Sequence, residues 1–294
     1  MNSEQFLREA ISSGKAPEGF EQIFEDFKNY QRYALDTLKE FHRVCELHNI
    51  GYMLTDGTLL GAIRNHGQIP WDYDIDVFVP LEQRDTLIAA LKQDLGKDYY
   101  FFCPEIDPKC RHFFMRVAPV GFRTEELHVD VFYFIGAPDD EEQRKKIADR
   151  LEELIEIRYS KLVNAKEASY GNLKAYIKLI IDKLRVSGKS VESGYREFDS
   201  LKDRWPLKTA NYVLRADSFN WDRVYNKGHF CCYYAEDFVN TMLYETEAGT
   251  FRIPSGYERF LTETYGDYMR EPPIESCIRE VTHSYSKLRY SKRK

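Results

Sequence analysis

A chain of 294 residues, 43% hydrophobic and 15% aromatic, can bury a substantial core in one large domain or two small ones. Its formal charge of −6 argues against general nucleic-acid binding, which needs a basic footprint. The polar start MNSEQFLREAISSGK carries no apolar signal run, and no stretch nears the roughly 20 apolar residues that cross a bilayer, so a soluble, cytoplasmic protein with reduced cysteines is expected.

In chain order, residues 19–48 place Phe24, Phe27, Tyr30, Leu35, Leu38, Phe41 and Cys45 three and four apart, which predicts a long amphipathic helix. GYMLTD predicts a short strand, Thr58 to Asn65 a helix, and Ile75 to Val79 a strand stopped by Pro80. Residues 81–96 read as a helix closed by Gly96. YYFFC, FFMRVAPV and HVDVFYFI predict further strands, and 139–163, 173–188 and 191–204 predict helices. Short aromatic-rich strands and turns follow, then a strand near 249–254 and a helix from about Tyr257 to Tyr265. The class expected is α+β, a mixed sheet flanked by helices. The charged run PDDEEQRK sets a border between a sheet-containing core, 1–140, and a more helical part, 141–294, which completes the core's functional site or continues the same domain.

The chemistry concentrates in 55–80, TDGTLLGAIRNHGQIPWDYDIDVFVP. Alternate residues of a strand share a face, so Asp72, Asp74 and Asp76 should project together while Tyr73, Ile75 and Val77 point the other way. Three like charges on one face repel, and burial would push their pKa values up. A bound Mg²⁺ resolves the conflict, because hard cations take carboxylate oxygens and leave room for phosphate. Gly57 and Thr58 stand at the mouth of a predicted helix, where free N–H groups bind phosphate. Arg64, further along that helix, could clamp a phosphate in bidentate fashion. Asp130, inside a second apolar strand, would complete the acidic face. The order Gly-Thr, then Asp-x-Asp, then a lone strand aspartate is the pattern of the nucleotidyltransferase fold typified by DNA polymerase β.

The stretch GTLLGAIRNHGQIPWDYDIDV also resembles the core motif of the LicD family, which includes fukutin and the fukutin-related protein. FRIPSGYERFLTETYGDYMREPP, 251–273, resembles the family's C-terminal block, HVDVFYF its second strand, and His283 with Lys287 its ending. Tyr73 stands where the family form has an aspartate, Asn65 precedes His66 where Arg-His is usual, and Phe132-Tyr133-Phe134 replaces a Phe-Pro. The resemblance implies transfer of a phospho-alcohol (phosphocholine, a polyol phosphate or a sugar phosphate). The donor would be CDP-linked or otherwise nucleotide-activated, the acceptor a hydroxyl of a cell-surface or lipid-linked glycan, and the leaving group a nucleoside monophosphate. Mg²⁺, with Mn²⁺ as its substitute, would sit on Asp74 and Asp76, with Asp72 as a further or outer ligand. Asp130 would join the metal shell or deprotonate the acceptor; Arg64, Gly57 and Thr58 would hold the diphosphate. The alternative is a true nucleotidyltransferase that moves a nucleoside monophosphate from a triphosphate. A non-catalytic binding role has the retained Asp74, Asp76 and Asp130 against it.

Other features carry weaker expectations. Cys103, Cys110 and His112 could join Cys231 or Cys232 in a structural Zn²⁺ site, but the irregular spacing favours free buried thiols. The helix 173–188 alternates apolar residues with Lys174, Lys178, Lys183 and Arg185, the make-up of a membrane-surface helix, against the simpler reading of a core helix with a basic face. The aromatics of 230–238 could line a donor pocket or a cage for a quaternary ammonium, with Glu236 and Asp237 beside it, or simply form core. Tyr265-Gly266-Asp267 reads first as a helix C-cap, and the tail KLRYSKRK as a solvated basic end.

Overall fold

The computed structural model describes residues 3–123, 126–169, 171–216 and 232–292. Helix α1 (Ser3–Ser12) precedes α2 (Phe20–Leu47), whose three-and-four apolar spacing buries Phe24, Phe27 and Phe41 completely. Strand β1 (Met53–Leu54) leads into α3 (Asp56–Leu60), which passes without a break into a π-helical turn, Gly61–Asn65. Next come β2 (Ile75–Pro80), α4 (Arg84–Asp94), β3 (Tyr99–Phe102), β4 (Met115–Pro119) and β5 (Val129–Ala137).

The sheet runs β1-β2-β5-β4-β3. Only β2 and β5 pair in parallel among these neighbours, and both read as near-continuous apolar runs, as strands covered on both faces do. Helix α2 crosses this sheet and packs on β2, β4 and β5.

The second half of the chain supplies α5 (Glu141–Leu162), α6 (Ala165–Ala168), α7 (Leu173–Arg185), α8 (Val191–Asp199), β6 (Tyr212–Arg215) and β7 (Cys232–Tyr234). Then follow α9 (Ala235–Val239), the hairpin β8 (Thr241–Thr246) and β9 (Gly249–Pro254), α10 (Tyr257–Tyr265) and α11 (Ile274–Lys292). The border expected at 140 falls between β5 and α5, where the Asp140 side chain caps α5 by accepting from the Gln143 N–H. Yet β6 pairs with the later part of β5 and β7 with β6, so the two parts share one sheet.

Besides the short α6 and α9, the two helices at the ends of the described chain went unread in the sequence. Helix α1 is short, and its Leu7 is fully buried. Helix α11 takes in the start of the tail expected to be a solvated basic end: Ile278, Val281, Tyr285 and Leu288 recur at three and four and are buried. The Tyr285 hydroxyl donates to Asp26 of α2 at 2.5 Å, tying the end of the chain to its beginning.

Candidate active site

Parallel pairing of β2 with β5 sets Asp76 directly beside Asp130, and the antiparallel β4 places Arg116 on the far side of Asp130 in the same row. Asp74 lies two residues before Asp76, and Asp56, at the start of α3, acts on Asp76 as well. The result is a line of carboxylates across the sheet. Burial pushes Asp76 well up, and Asp56, Asp130 and Asp74 push it further. Desolvation lifts Asp74 to about 6, with Asp72 and Asp130 adding repulsion, though its own exposure to solvent screens part of that. Burial likewise lifts Asp72 to about 6, with the charge of Glu280 on α11 adding to it.

Asp130 behaves oppositely. Burial would raise it, but Arg116 and His128 outweigh burial and hold it well below the usual carboxylate range. Arg116 Nε donates to Asp130 Oδ1 at 2.8 Å, and His128 Nε2 lies 3.3 Å from the same oxygen. Arg215, from β6, donates from Nη1 to Asp56 at 2.9 Å while its guanidinium lies 3.9 Å from the centre of the Phe132 ring. Arg116, His128, Arg215 and Asp56 were not read from the sequence. The only signal was a lone charge in each apolar run: Arg116 in FFMRVAPV, Arg215 in YVLR.

Arg64 sits in surroundings of its own. Its guanidinium sits 5.6 Å from the Trp71 ring and feels Glu271, Cys277 and Tyr265; it is not among the groups that shift the four carboxylates. The π-turn accounts for this, because hydrogen bonds from i to i+5 turn each side chain away from its α-helical bearing.

Tyr73 was expected to face away from the aspartates. The strand begins only at Ile75, so alternation does not govern 72–74. The Tyr73 ring packs edge-on against Phe27 of α2 at 6.1 Å, while its hydroxyl still reaches Asp74. The WDYD loop is fixed instead by Gln31 of α2, whose Nε2 donates to the carbonyls of Ile69 at 2.9 Å and Asp72 at 2.6 Å. Asp72 in turn accepts from the Asp74 N–H at 3.2 Å.

Gly57 and Thr58 lie in the first turn of α3 and serve the loop before any ligand. A side chain at Gly57 would sit 2.9 Å from Asp72 Oδ2 and displace that carboxylate. The Thr58 hydroxyl accepts the Asp76 N–H at 2.8 Å and fixes the start of β2. Behind them, a side chain at Gly61 would meet the Gly67 carbonyl at 2.7 Å, so the returning chain needs glycine there too.

The remaining expectations fall elsewhere. Cys103 and Cys110 are buried, and burial pushes both thiols up; Cys231 lies outside the described residues. Of the 230–238 aromatics, Phe230 also lies outside them, while Tyr233 and Phe238 form a ring cluster with Phe260. Glu236 and Asp237 pair with Arg259 at 3.0 and 3.2 Å. Glu236 also borders a cavity of about 610 Å³ shared with Asp139, Asn211, Tyr212 and Tyr234. That cavity adjoins the far end of β5, roughly 23 Å along the strand from Asp130. Gly266 closes α10 by donating its N–H to the Thr262 carbonyl at 2.9 Å, the C-cap expected there.

Among the described residues, no three His, Cys, Asp or Glu side chains converge to hold a metal by themselves. A hard cation of the Mg²⁺ type does not need three, since one or two carboxylates plus substrate phosphates suffice. The raised, mutually repelling Asp74 and Asp76 are donors of that kind.

Residues 49–176, from just before β1 into α7, match the family model LicD/FKTN/FKRP, nucleotidyltransferase domain. The lipopolysaccharide cholinephosphotransferase LicD of Haemophilus influenzae is 27% identical over 263 residues, covering 84% of this chain and 93% of that protein. Uncharacterized proteins of Rickettsia prowazekii and Rickettsia typhi are 39% and 38% identical over 56 residues, covering 19% of this chain and 21% and 18% of theirs.

Proposed function

The chain belongs to the LicD family, and from that premise we propose that it is a phosphotransferase that moves phosphocholine from CDP-choline to a glycan hydroxyl and releases CMP. The observation that carries the reading is the row Asp76–Asp130–Arg116 with Asp74 beside it: paired acids to hold a cation, and a fixed guanidinium next to them. A nucleotidyltransferase-type core is the natural scaffold for that row. The acceptor class and the phosphocholine group come from the Haemophilus influenzae relative, whose name gives both.

Transfer at phosphorus asks for charge neutralisation and in-line positioning more than for covalent chemistry. Asp74 and Asp76 would hold Mg²⁺, or Mn²⁺, which would supply positive charge to neutralise the donor diphosphate. Arg116 and Arg215 flank the carboxylates and take the diphosphate role that the spacing gave to Arg64. Asp130 keeps Arg116 and His128 in place, and a carboxylate held so low is a poor proton acceptor. Asp72 shapes the loop that presents Asp74.

The test is CMP release from CDP-choline with Mg²⁺, with CDP-ribitol and CDP-glycerol as competing donors. Wild type should release CMP, and Asp76→Asn should be slower by about a hundredfold or more without loss of thermal stability. Pyrophosphate release from a triphosphate, with no CMP from any CDP-alcohol, would replace this reading by nucleotidyl transfer.

A further inference from the structure

Helix α7 stands apart from the core. None of its residues is buried, and Leu173, Ile177, Ile181 and Leu184 are 70%, 49%, 52% and 68% exposed. At 100° per residue these four fall on one stripe, and Tyr176, also exposed, borders it. Lys174, Lys178 and Arg185 follow immediately around the helix, so a basic row runs beside the apolar one. The opposite side, with Ala175, Leu179, Asp182 and Lys183 half-buried, faces the protein. Few contacts hold the helix there: Lys183 Nζ donates to the Lys161 carbonyl at 3.0 Å, and Arg185 pairs with Glu156 at 3.1 Å. The expected simpler reading, a core-facing helix, does not describe it.

We propose that α7 is the element by which this chain rests on an anionic membrane surface. Among the described residues no helix is long and apolar enough to cross a membrane, so contact would be in the plane of the interface. Charge complementarity selects the occupant. Within a chain of net charge −6, the row beside the stripe presents Lys174 and Lys178, with Arg185, shared with Glu156, at its end. An anionic headgroup layer offers a continuous negative field along the whole row together with an acyl boundary for the stripe beside it. An apolar stripe edged by lysines is what such a layer binds, with methylene stems reaching along the acyl boundary.

The position of α7 gives the contact a use. Helix α5, on which α7 leans, also carries Arg158, which donates to the carbonyls of His112 at 3.2 Å and Pro108 at 3.5 Å. That loop leads straight into β4 and Arg116, beside Asp130. The apolar stripe therefore belongs to the carboxylate end of the fold, where an acceptor hydroxyl carried on a lipid would be within the site's neighbourhood. Binding itself does not depend on the proposed transfer reaction and is measured without turnover.

The whole chain is sedimented with phosphatidylcholine vesicles, with and without phosphatidylglycerol. Wild type should pellet with the anionic vesicles and be released by salt. Lys174→Ala with Lys178→Ala should weaken partition by about tenfold or more. Ile177→Asp with Ile181→Asp should abolish it, with an unchanged thermal melt and unchanged CMP release to a soluble acceptor. Wild type that stays in the supernatant, or Asp variants that still pellet, would overturn the proposal. So would a concentration-dependent dimer in sedimentation velocity that the Asp variants disperse, which would put a second copy on this face.

Discussion

Arg116 and Asp130 face each other across β4 and β5, both nearly closed off from solvent, at 2.8 Å. A charge left alone there costs far more than the pair contributes. Arg116→Gln should lower stability by about 3 kcal/mol and bring Asp130 up into the range of its neighbours. Adding Asp130→Asn to Arg116→Gln should recover most of that loss, read as a non-additive double-mutant cycle in urea. Additive losses would mean that Arg116 is held by other contacts. At this scale the acids were legible because three aspartates in an apolar run have no structural excuse. Their cationic partners were not, because a lone arginine in a strand does not say which neighbour it meets; that depends on register, which only the folded sheet defines.

The passage from α3 into the π-turn decides where the loop 66–72 goes. Gly67 donates its N–H to the Gly61 carbonyl at 3.2 Å, and the chain then folds back over Gly61. Gly61→Ala would drive a methyl into two backbone atoms, the Gly67 carbonyl at 2.7 Å and the Ile69 N at 3.0 Å. The expected loss is about 1–3 kcal/mol, several degrees in Tm, with CMP release falling more steeply than stability because Asp72 and Asp74 shift with the loop. A variant with wild-type turnover would show that the loop tolerates the displacement. A helix over 58–65 was legible from GTLLGAIRN, but its change of hydrogen-bond pattern was not, and that change carries Arg64 toward Trp71 and Glu271. Elements with strong periodicity, α2 and α5, and the apolar strands β2 and β5 were readable. The paired ends α1 and α11 were missed, since their apolar faces are meaningful only once each has the rest of the fold to cover it.

Over the whole molecule, the carboxylate line makes stability depend on pH in an unusual direction. Asp72 and Asp74, raised to about 6, and Asp76, raised as well, bind protons more readily folded than unfolded. Their contribution is therefore full below about pH 4, the ordinary carboxylate value, and lost as pH rises toward and past 6. Asp130, held low, works the other way, but only at more acid pH. Without divalent cations the thermal midpoint should fall between pH 5 and pH 7.5. Added Mg²⁺ should restore it at pH 7.5 and do little at pH 5; equal Mg²⁺ shifts at both would detach the cation from these groups. The parallel pairing of β2 with β5 also dictates when the site can exist. Asp76 and Asp130 have α4, β3 and β4 between them in the chain, so no early, local stage of folding brings them together. Closing that long loop is slow, and it ends by pressing acids against one another. That repulsion opposes the pairing, and the cation proposed for Asp74 and Asp76 would favour it, coupling its own capture to folding.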